Sequence, residues 1–381
     1  MTTQFRNFFK HALKLTLSME RWFFIVLIPI FLLTCKKDSP LNNGDLTHIQ
    51  HNPLPHEIEQ PEFFSPMEIP SDNPLTIEGV RLGRFLFYDP ILSADSSLSC
   101  ASCHLPELAF ADGQKTSQGV TGEFGSRSSM SLINVGYFNN GFFWDGRAQT
   151  LEDQALHPIE DPLEMNESWA NVEEKLRRNP IYPKMFRQAF PIKNEIEITR
   201  DLAIKAIAQF ERTLISANSK YDQAVSFDNP TVEYSQLELD GYLLYFRDIQ
   251  TNHPGCHHCH APPLFGGDTY LNNGLDEVQD LNDFNDLGYG AVTGSQFDNG
   301  KFKTPSLRNI ELSAPYMHDG RFETLEEVLE HYSSGGHYAD NLDPNITGFT
   351  MTQYEKEALL AFLKSLTDDR FFEQSEIKNP F

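Results

Sequence analysis

Apolar residues recur along much of this chain at three- and four-residue steps. Leu202, Ala203, Ala206, Ile207, Phe210 and Leu214 form one series, and Leu359, Phe362, Leu363 and Leu366 form another near the C-terminus. Thr199 and Thr352 are placed as caps ahead of these series, with acidic residues close behind them. Further helices are predicted at 76–88, 168–178, 234–250 and 324–332. From Phe265 to Ser313, by contrast, Gly, Asn and Asp punctuate the chain every few residues and predict a long loop-rich excursion. The pattern is that of a mainly α-helical protein with long loops.

One apolar segment has a different character. Trp22 to Thr34 (WFFIVLIPIFLLT) follows Arg21 and is too short to span a membrane comfortably, but it has the shape of a signal-peptide core. It ends Leu32-Leu33-Thr34-Cys35, which resembles a lipobox, although the residue before such a Cys is usually smaller than Thr. Residues 1–35 are therefore expected to direct export, with Cys35 as a lipid anchor; a free thiol is the alternative. Met19 would give a signal of more ordinary length. Residues 36–73, rich in Pro, Asn, Asp and Glu, read as a flexible tether. The rest suits two domains, at 74–232 and 233–381.

The formal net charge is −24. Residues 1–34 contain four basic residues and one acidic residue, so their removal takes it to −27. Such a surface repels nucleic acid and suits a basic partner such as a small cytochrome; solubility alone is the other explanation.

The chemistry lies in two pentapeptides, Cys100-Ala101-Ser102-Cys103-His104 and Cys256-His257-His258-Cys259-His260. In a C-x-x-C-H the two sulfurs form thioethers to one haem and the His supplies an imidazole to its iron. Zinc could take the four sulfurs, but gives no reason for a His directly after each pair. Thioredoxin-like redox chemistry lacks a preceding strand, and two disulfides would staple only tiny loops. Two covalent c-type haems are the reading that uses every residue of the repeat. Haem is attached outside the cytoplasm in bacteria, which agrees with an exported, periplasmic, membrane-anchored lipoprotein.

Further segments carry a specific resemblance. They are Leu82-Gly83-Arg84-Phe85-Leu86-Phe87-Tyr88-Asp89-Pro90, the first haem motif with Ser99 before it, Phe142-Phe143-Trp144-Asp145-Gly146-Arg147, and Gln154-Ala155 with Pro158 and Pro162-Leu163-Glu164-Met165. Lys303-Thr304-Pro305-Ser306-Leu307-Arg308-Asn309 and Ala314-Pro315-Tyr316-Met317-His318-Asp319-Gly320 follow. In this order, from about Pro74 to Leu366, the chain resembles the bacterial di-haem cytochrome c peroxidase family, which includes the MauG enzymes.

The resemblance implies two cytochrome c-like domains, each around one haem. Cys100 and Cys103 would attach the peroxidatic haem, with His104 proximal. Cys256 and Cys259 would attach the electron-transfer haem, with His260 proximal. Glu164 matches the family's acid–base carboxylate and Gln154 its distal-pocket partner, while Trp144 takes the position between the haems. An inter-haem calcium would be held by Asn134 and by the carbonyls of Ser313 and Pro315. Some members close the resting peroxidatic iron with a His from the loop after the first motif. Leu105 to Gly141 contains no His, so that iron is expected to be open, with His157 as the remaining candidate ligand or, more simply, a solvent-facing side chain. Other members place a Met ligand on the second iron, fourteen residues after the His of P-Y-x-H-D-G; here that position is Tyr332, as in MauG-type members.

Three functions follow as alternatives. The first is reduction of hydrogen peroxide with electrons from a small cytochrome c or similar carrier, entering at the C-terminal haem. The second is a MauG-like oxidase acting on a protein or small molecule, favoured by Tyr332. Against tryptophylquinone maturation, Pro254 stands where that enzyme has a Trp. The third is a non-enzymatic electron-transfer cytochrome.

Overall fold

The computed structural model describes residues 44–227, 229–248, 252–267 and 269–381. The apolar segment, Met19 and the expected lipidation site Cys35 lie outside the described residues. Among the described residues no helix is long and apolar enough to cross a membrane.

Ten helices dominate the described chain: α1 (Ile77–Tyr88), α2 (Cys100–Cys103), α3 (Leu151–Glu160), α4 (Trp169–Arg178), α5 (Tyr182–Ala189), α6 (Arg200–Glu211), α7 (Gln236–Tyr245), α8 (Gly290–Thr293), α9 (Leu325–Ser334) and α10 (Gln353–Lys364). Their starts follow side-chain chemistry. Thr76, Ser168 and Thr324 accept hydrogen bonds from the third residue onward, as does Thr352, and so satisfy amides that a helix start leaves unpaired. Thr199 occupies the cap position of α6 without a side-chain bond. α7 stops at Tyr245, short of the predicted end. α3 and α5 are not predicted by the apolar periodicity: α3 carries Pro158 inside its last turns, and α5 is eight residues long with Pro183 at its start.

The described chain is built twice on one plan. α1 crosses α6 where a Cβ on Gly83 would stand 1.8 Å from the carbonyl oxygen of Ala206, so only glycine allows the approach. One turn further on, Phe87 meets Phe210 at 5.2 Å between ring centroids. α7 crosses α10 in the same way: a Cβ on Gly241 would stand 1.9 Å from the Ala358 oxygen, and Tyr245 meets Phe362 at 4.8 Å. A second echo accompanies the first. Trp144-Asp145-Gly146-Arg147 and His318-Asp319-Gly320-Arg321 are matching turns, closed by the bridges Phe142↔Ala148 and Tyr316↔Phe322. Each leads into a Thr-capped helix, α3 or α9. The repeated haem motif is thus not the chain's sole internal echo: the helix crossings and these turns repeat as well. They escape notice because the shared residues are few and unevenly spaced.

Each lobe has its own apolar core. Leu82, Leu86, Trp169, Phe186 and Ile207 belong to the first, and Tyr245, Phe265, Leu329, Phe362 and Leu366 to the second. The predicted excursion from 265 to 313 is loop-rich, with one small antiparallel pair, β1 (Tyr270–Leu271) with β2 (Phe302–Lys303).

Two terminal segments depart from the expected partition. From Gly44 on, the segment read as a tether is fixed to the body: Leu46 and Phe64 are buried, the Leu46 amide donates to the Lys193 oxygen, and Phe64 meets Tyr137 edge-on. Its composition is tether-like, yet a few apolar anchors suffice to hold it. At the other end, Phe371 and Ile377 enter a core with Phe87, Phe110 and Phe210, so the last residues return to the first lobe. Arg84 secures them by donating to the carbonyls of Ser375 and Lys378.

Arg308 and Asp222 form a doubly hydrogen-bonded pair, both contacts 2.8 Å, with side chains 1% and 3% exposed. Arg308→Ala is expected to destabilise the holoprotein by about 3–5 kcal/mol, because it leaves a carboxylate buried without its partner. Urea unfolding followed by far-UV circular dichroism checks this.

Candidate haem sites

A cavity of about 730 Å³ is lined by both C-x-x-C-H motifs. α2 presents the first, beginning at Ser99, whose backbone amide is bonded by the Ser102 hydroxyl. A tight turn at Cys256–His258 presents the second. All four thiols are unpaired. Among the described residues no group of three or more His, Cys, Asp and Glu side chains is placed to hold a metal ion, so the four sulfurs are not gathered as a zinc site requires. Burial pushes the Cys103 and Cys259 thiols up to about 11, the opposite of a redox-active pair.

The two histidines are prepared as iron ligands. His104 Nδ1 lies 2.8 Å from the Phe110 carbonyl oxygen, and His260 Nδ1 lies 3.2 and 3.1 Å from those of Phe265 and Pro305. A nitrogen facing a carbonyl must carry the proton, which leaves Nε2 with a lone pair for a metal. Burial pushes His260 down to about 4 and lowers His104 as well, so both imidazoles are neutral. Sulfur pairs, neutral imidazoles and a largely apolar cavity fit two covalent haems.

Gln154 and Glu164 line the same cavity. Thr150 caps α3, its hydroxyl accepting from the Asp153 amide and its carbonyl from the Gln154 amide at 2.9 Å; Pro158 has no amide to bond the Gln154 carbonyl. The chain then turns at Asp161, whose carbonyl accepts from the Glu164 amide at 3.0 Å. Burial pushes the Glu164 carboxyl up to about 7; Asp161 adds to the shift and Arg147 opposes it. His157 does not line the cavity: its Nε2 is 3.7 Å from Asp153, and its ring meets Phe143 edge-on.

Trp144 also lines the cavity. Its Nε1 donates to the Ser128 oxygen at 2.9 Å, and its carbonyl accepts from the Lys303 amide at 2.8 Å. Buried Asp145 beside it accepts from Arg127 at 2.6 Å and Arg147 at 3.1 Å.

In the second lobe, α9 presents Tyr332 to the cavity. Its Oη accepts from Asn273 Nδ2 at 3.1 Å, and the same amide nitrogen is 3.5 Å from Met317 Sδ. Burial pushes the phenol up to about 12, while the Asn273 bond opposes the shift. Asn273 sits in the loop excursion far from Tyr332 in sequence and is not singled out there; its being an Asn amid many in that loop gives no signal.

The expected calcium ligands are Asn134, Ser313 and Pro315. Ser313 and Pro315 line the cavity, but Asn134 does not. Asn134 is 1% exposed, and its side chain binds the Ser216 backbone from both ends: Nδ2 donates to the carbonyl at 2.8 Å and Oδ1 accepts from the amide at 2.9 Å. The side chain thus clamps the Ser216 backbone.

Duplicated helical lobes, each offering a haem-attachment motif with a carbonyl-oriented histidine, define a di-haem c-type cytochrome. Known proteins narrow this. The family model for di-haem cytochrome c peroxidases matches residues 77–229. The methylamine utilization protein MauG of Methylorubrum extorquens is 37% identical over 78% of this chain and 80% of its own. The cytochrome c551 peroxidase of Nitrosomonas europaea is 35% identical over 78% of this chain and 82% of its own. A crystal structure of a MauG-like protein associated with microbial copper homeostasis superposes with a TM-score of 0.78 at 34% identity, covering 85% of this chain and 99% of that one. The chain belongs to the di-haem cytochrome c peroxidase family, and it is an oxidoreductase with two haem c groups.

Proposed function

We propose that the protein reduces hydrogen peroxide to water at its N-terminal haem, with electrons from a small cytochrome c or similar carrier passing through the C-terminal haem. The reaction consumes two electrons and two protons for each peroxide and yields two waters. Residues 74–232 would form the peroxidatic domain and 233–381 the electron-transfer domain. Cys100, Cys103 and His104 would hold the N-terminal haem, which would supply the iron needed for peroxide reduction.

The chain's own residues move the proton. The observation that carries this reading is Glu164: a carboxyl on the cavity wall, poised near neutrality by burial. It takes a proton from the oxygen nearer the iron and returns it to the farther one, so that water can leave. Gln154 orients the peroxide from the same wall. Trp144 offers an indole between the two haem sites, and its fixed Nε1 holds the ring in place.

Tyr332 favours a second reading, a MauG-like oxidase that uses peroxide to oxidise a protein or small molecule. A Tyr332 phenolate, holding the second haem's iron together with His260, would favour ferric iron and lower the reduction potential relative to a thioether. The Asn273 amide is placed to hold that oxygen. Peroxide turnover with and without reduced cytochrome c separates the readings: fast donor oxidation supports the peroxidase, turnover only with an organic substrate supports the oxidase, and no turnover leaves a simple electron carrier. Export to the periplasm, with a lipid anchor at Cys35, completes the proposal. A calcium between the haems would rest on the Asn134 side chain and the Ser313 and Pro315 carbonyls.

A further inference from the structure

Glu211, the last residue of α6, is 4% exposed, and its Oε2 is buried with no hydrogen-bond partner. Buried polar atoms are nearly always paired, so an orphan requires a reason. The neighbouring cation does not supply one: both terminal nitrogens of Arg212 are bound to Glu152, at 2.7 and 3.0 Å. Glu211 instead lines the haem cavity together with Ile207 and Cys100.

The second lobe provides an internal control. Ala206 and Phe210 of α6 correspond to Ala358 and Phe362 of α10 through the matching glycine crossings. The next position is Glu211 in one lobe and Leu363 in the other, and Leu363 also lines the cavity. Packing at this place is therefore met by leucine. A carboxyl costs desolvation free energy that leucine does not, and it stands only in the lobe where protons are consumed.

We propose that Glu211 is a redox-linked proton site of the N-terminal haem: its carboxylate binds a proton as the iron gains an electron and releases it as the iron loses one. The inference rests on the haem reading but not on the role of Glu164. An electron arriving beside a poorly solvated carboxylate adds negative charge, which favours the protonated acid; reciprocally, the proton makes the electron easier to add. One proton is thus held inside the cavity ahead of its use, with the electron drawn from the same donor that drives turnover. Desolvation already pushes the carboxyl up to about 8. The charged groups acting on it are Arg212, which lowers it, and, from α3, Glu152, which raises it and is itself paired with Arg212. α2 contributes Cys100, uncharged once it is a thioether.

The test is a spectroelectrochemical titration of the holoprotein between pH 6 and 9, without peroxide or donor protein. The N-terminal haem's midpoint should fall with rising pH, by up to about 59 mV for each tenfold drop in proton activity. Glu211→Gln and Glu211→Leu should flatten that dependence, while Glu164→Gln should leave much of it and the C-terminal haem should respond alike in all variants. Glu211→Leu installs the residue already packed in the other lobe, and so keeps the test open if the Gln variant folds poorly. A slope unchanged in both Glu211 variants, or one abolished by Glu164→Gln alone, overturns the proposal. Failure of peroxide turnover would leave this titration unaffected.

Discussion

Glu164→Gln is expected to lower peroxide turnover by about 10²- to 10⁴-fold, with both haem spectra unchanged. The amide keeps the size and hydrogen-bonding capacity of the side chain but can neither take the first proton nor return it. The pH dependence gives a sharper signature. The carboxylate must be ionised to act as base, and its pKa lies near 7 because burial disfavours the charge. In the wild type kcat/KM for peroxide should therefore rise with pH until about 7 and level off above it. The rise should vanish in Glu164→Gln. Arg147→Ala removes the cation that opposes the shift, so the rising limb should move to higher pH. Rapid-mixing kinetics with hydrogen peroxide check each statement, and a Gln variant with full activity removes Glu164 from the proton path.

Tyr332→Phe should convert the second haem from six-coordinate to five-coordinate or water-bound, seen as loss of its low-spin signal in electron paramagnetic resonance. The ring and its packing on α9 are retained, so the change isolates the oxygen. Tyr332→Met should instead restore six-coordination with a softer ligand and raise that haem's midpoint by an amount on the order of 10² mV, within the range that axial ligands command. The raised potential should favour oxidation of a high-potential cytochrome c donor. The N-terminal haem's spectrum should be the same in all three proteins. An unaltered low-spin signal in Tyr332→Phe removes Tyr332 from the site.

Much of the fold was legible because its determinants are local. α1, α4 and α9 begin beside Thr76, Ser168 and Thr324, whose side chains do the capping that their identity suggests. α3 was not legible because Pro158 argues against a helix interior, yet near the C-terminal end it costs a single backbone bond. The duplication was hidden for another reason. Gly83 and Gly241 are each one residue, and their equivalence exists only where Ala206 and Ala358 lie against them.

The site divides in the same manner. Both C-x-x-C-H motifs are contiguous, so their chemistry could be read directly. Glu164 and Tyr332 depend on family spacing, and the structure adds what spacing lacks: burial of the carboxyl and an amide donor on the phenol. Asn134 has a contact that spacing does not show. An Asn near the expected place proves to be engaged with Ser216, a partner supplied by a distant segment. Glu211 was unreadable for a related reason: a charged residue ending an amphipathic helix normally faces water, and only the assembled cavity shows that it does not.

The most direct test is the haem content of the exported protein, matured in a host that attaches c-type haem. The expected result is two haems per polypeptide that stay with the chain through denaturation and acid–acetone extraction, falling to one when Cys100 and Cys103 are both changed to Ala. A colourless, iron-free protein, or haem that extracts freely, would contradict it.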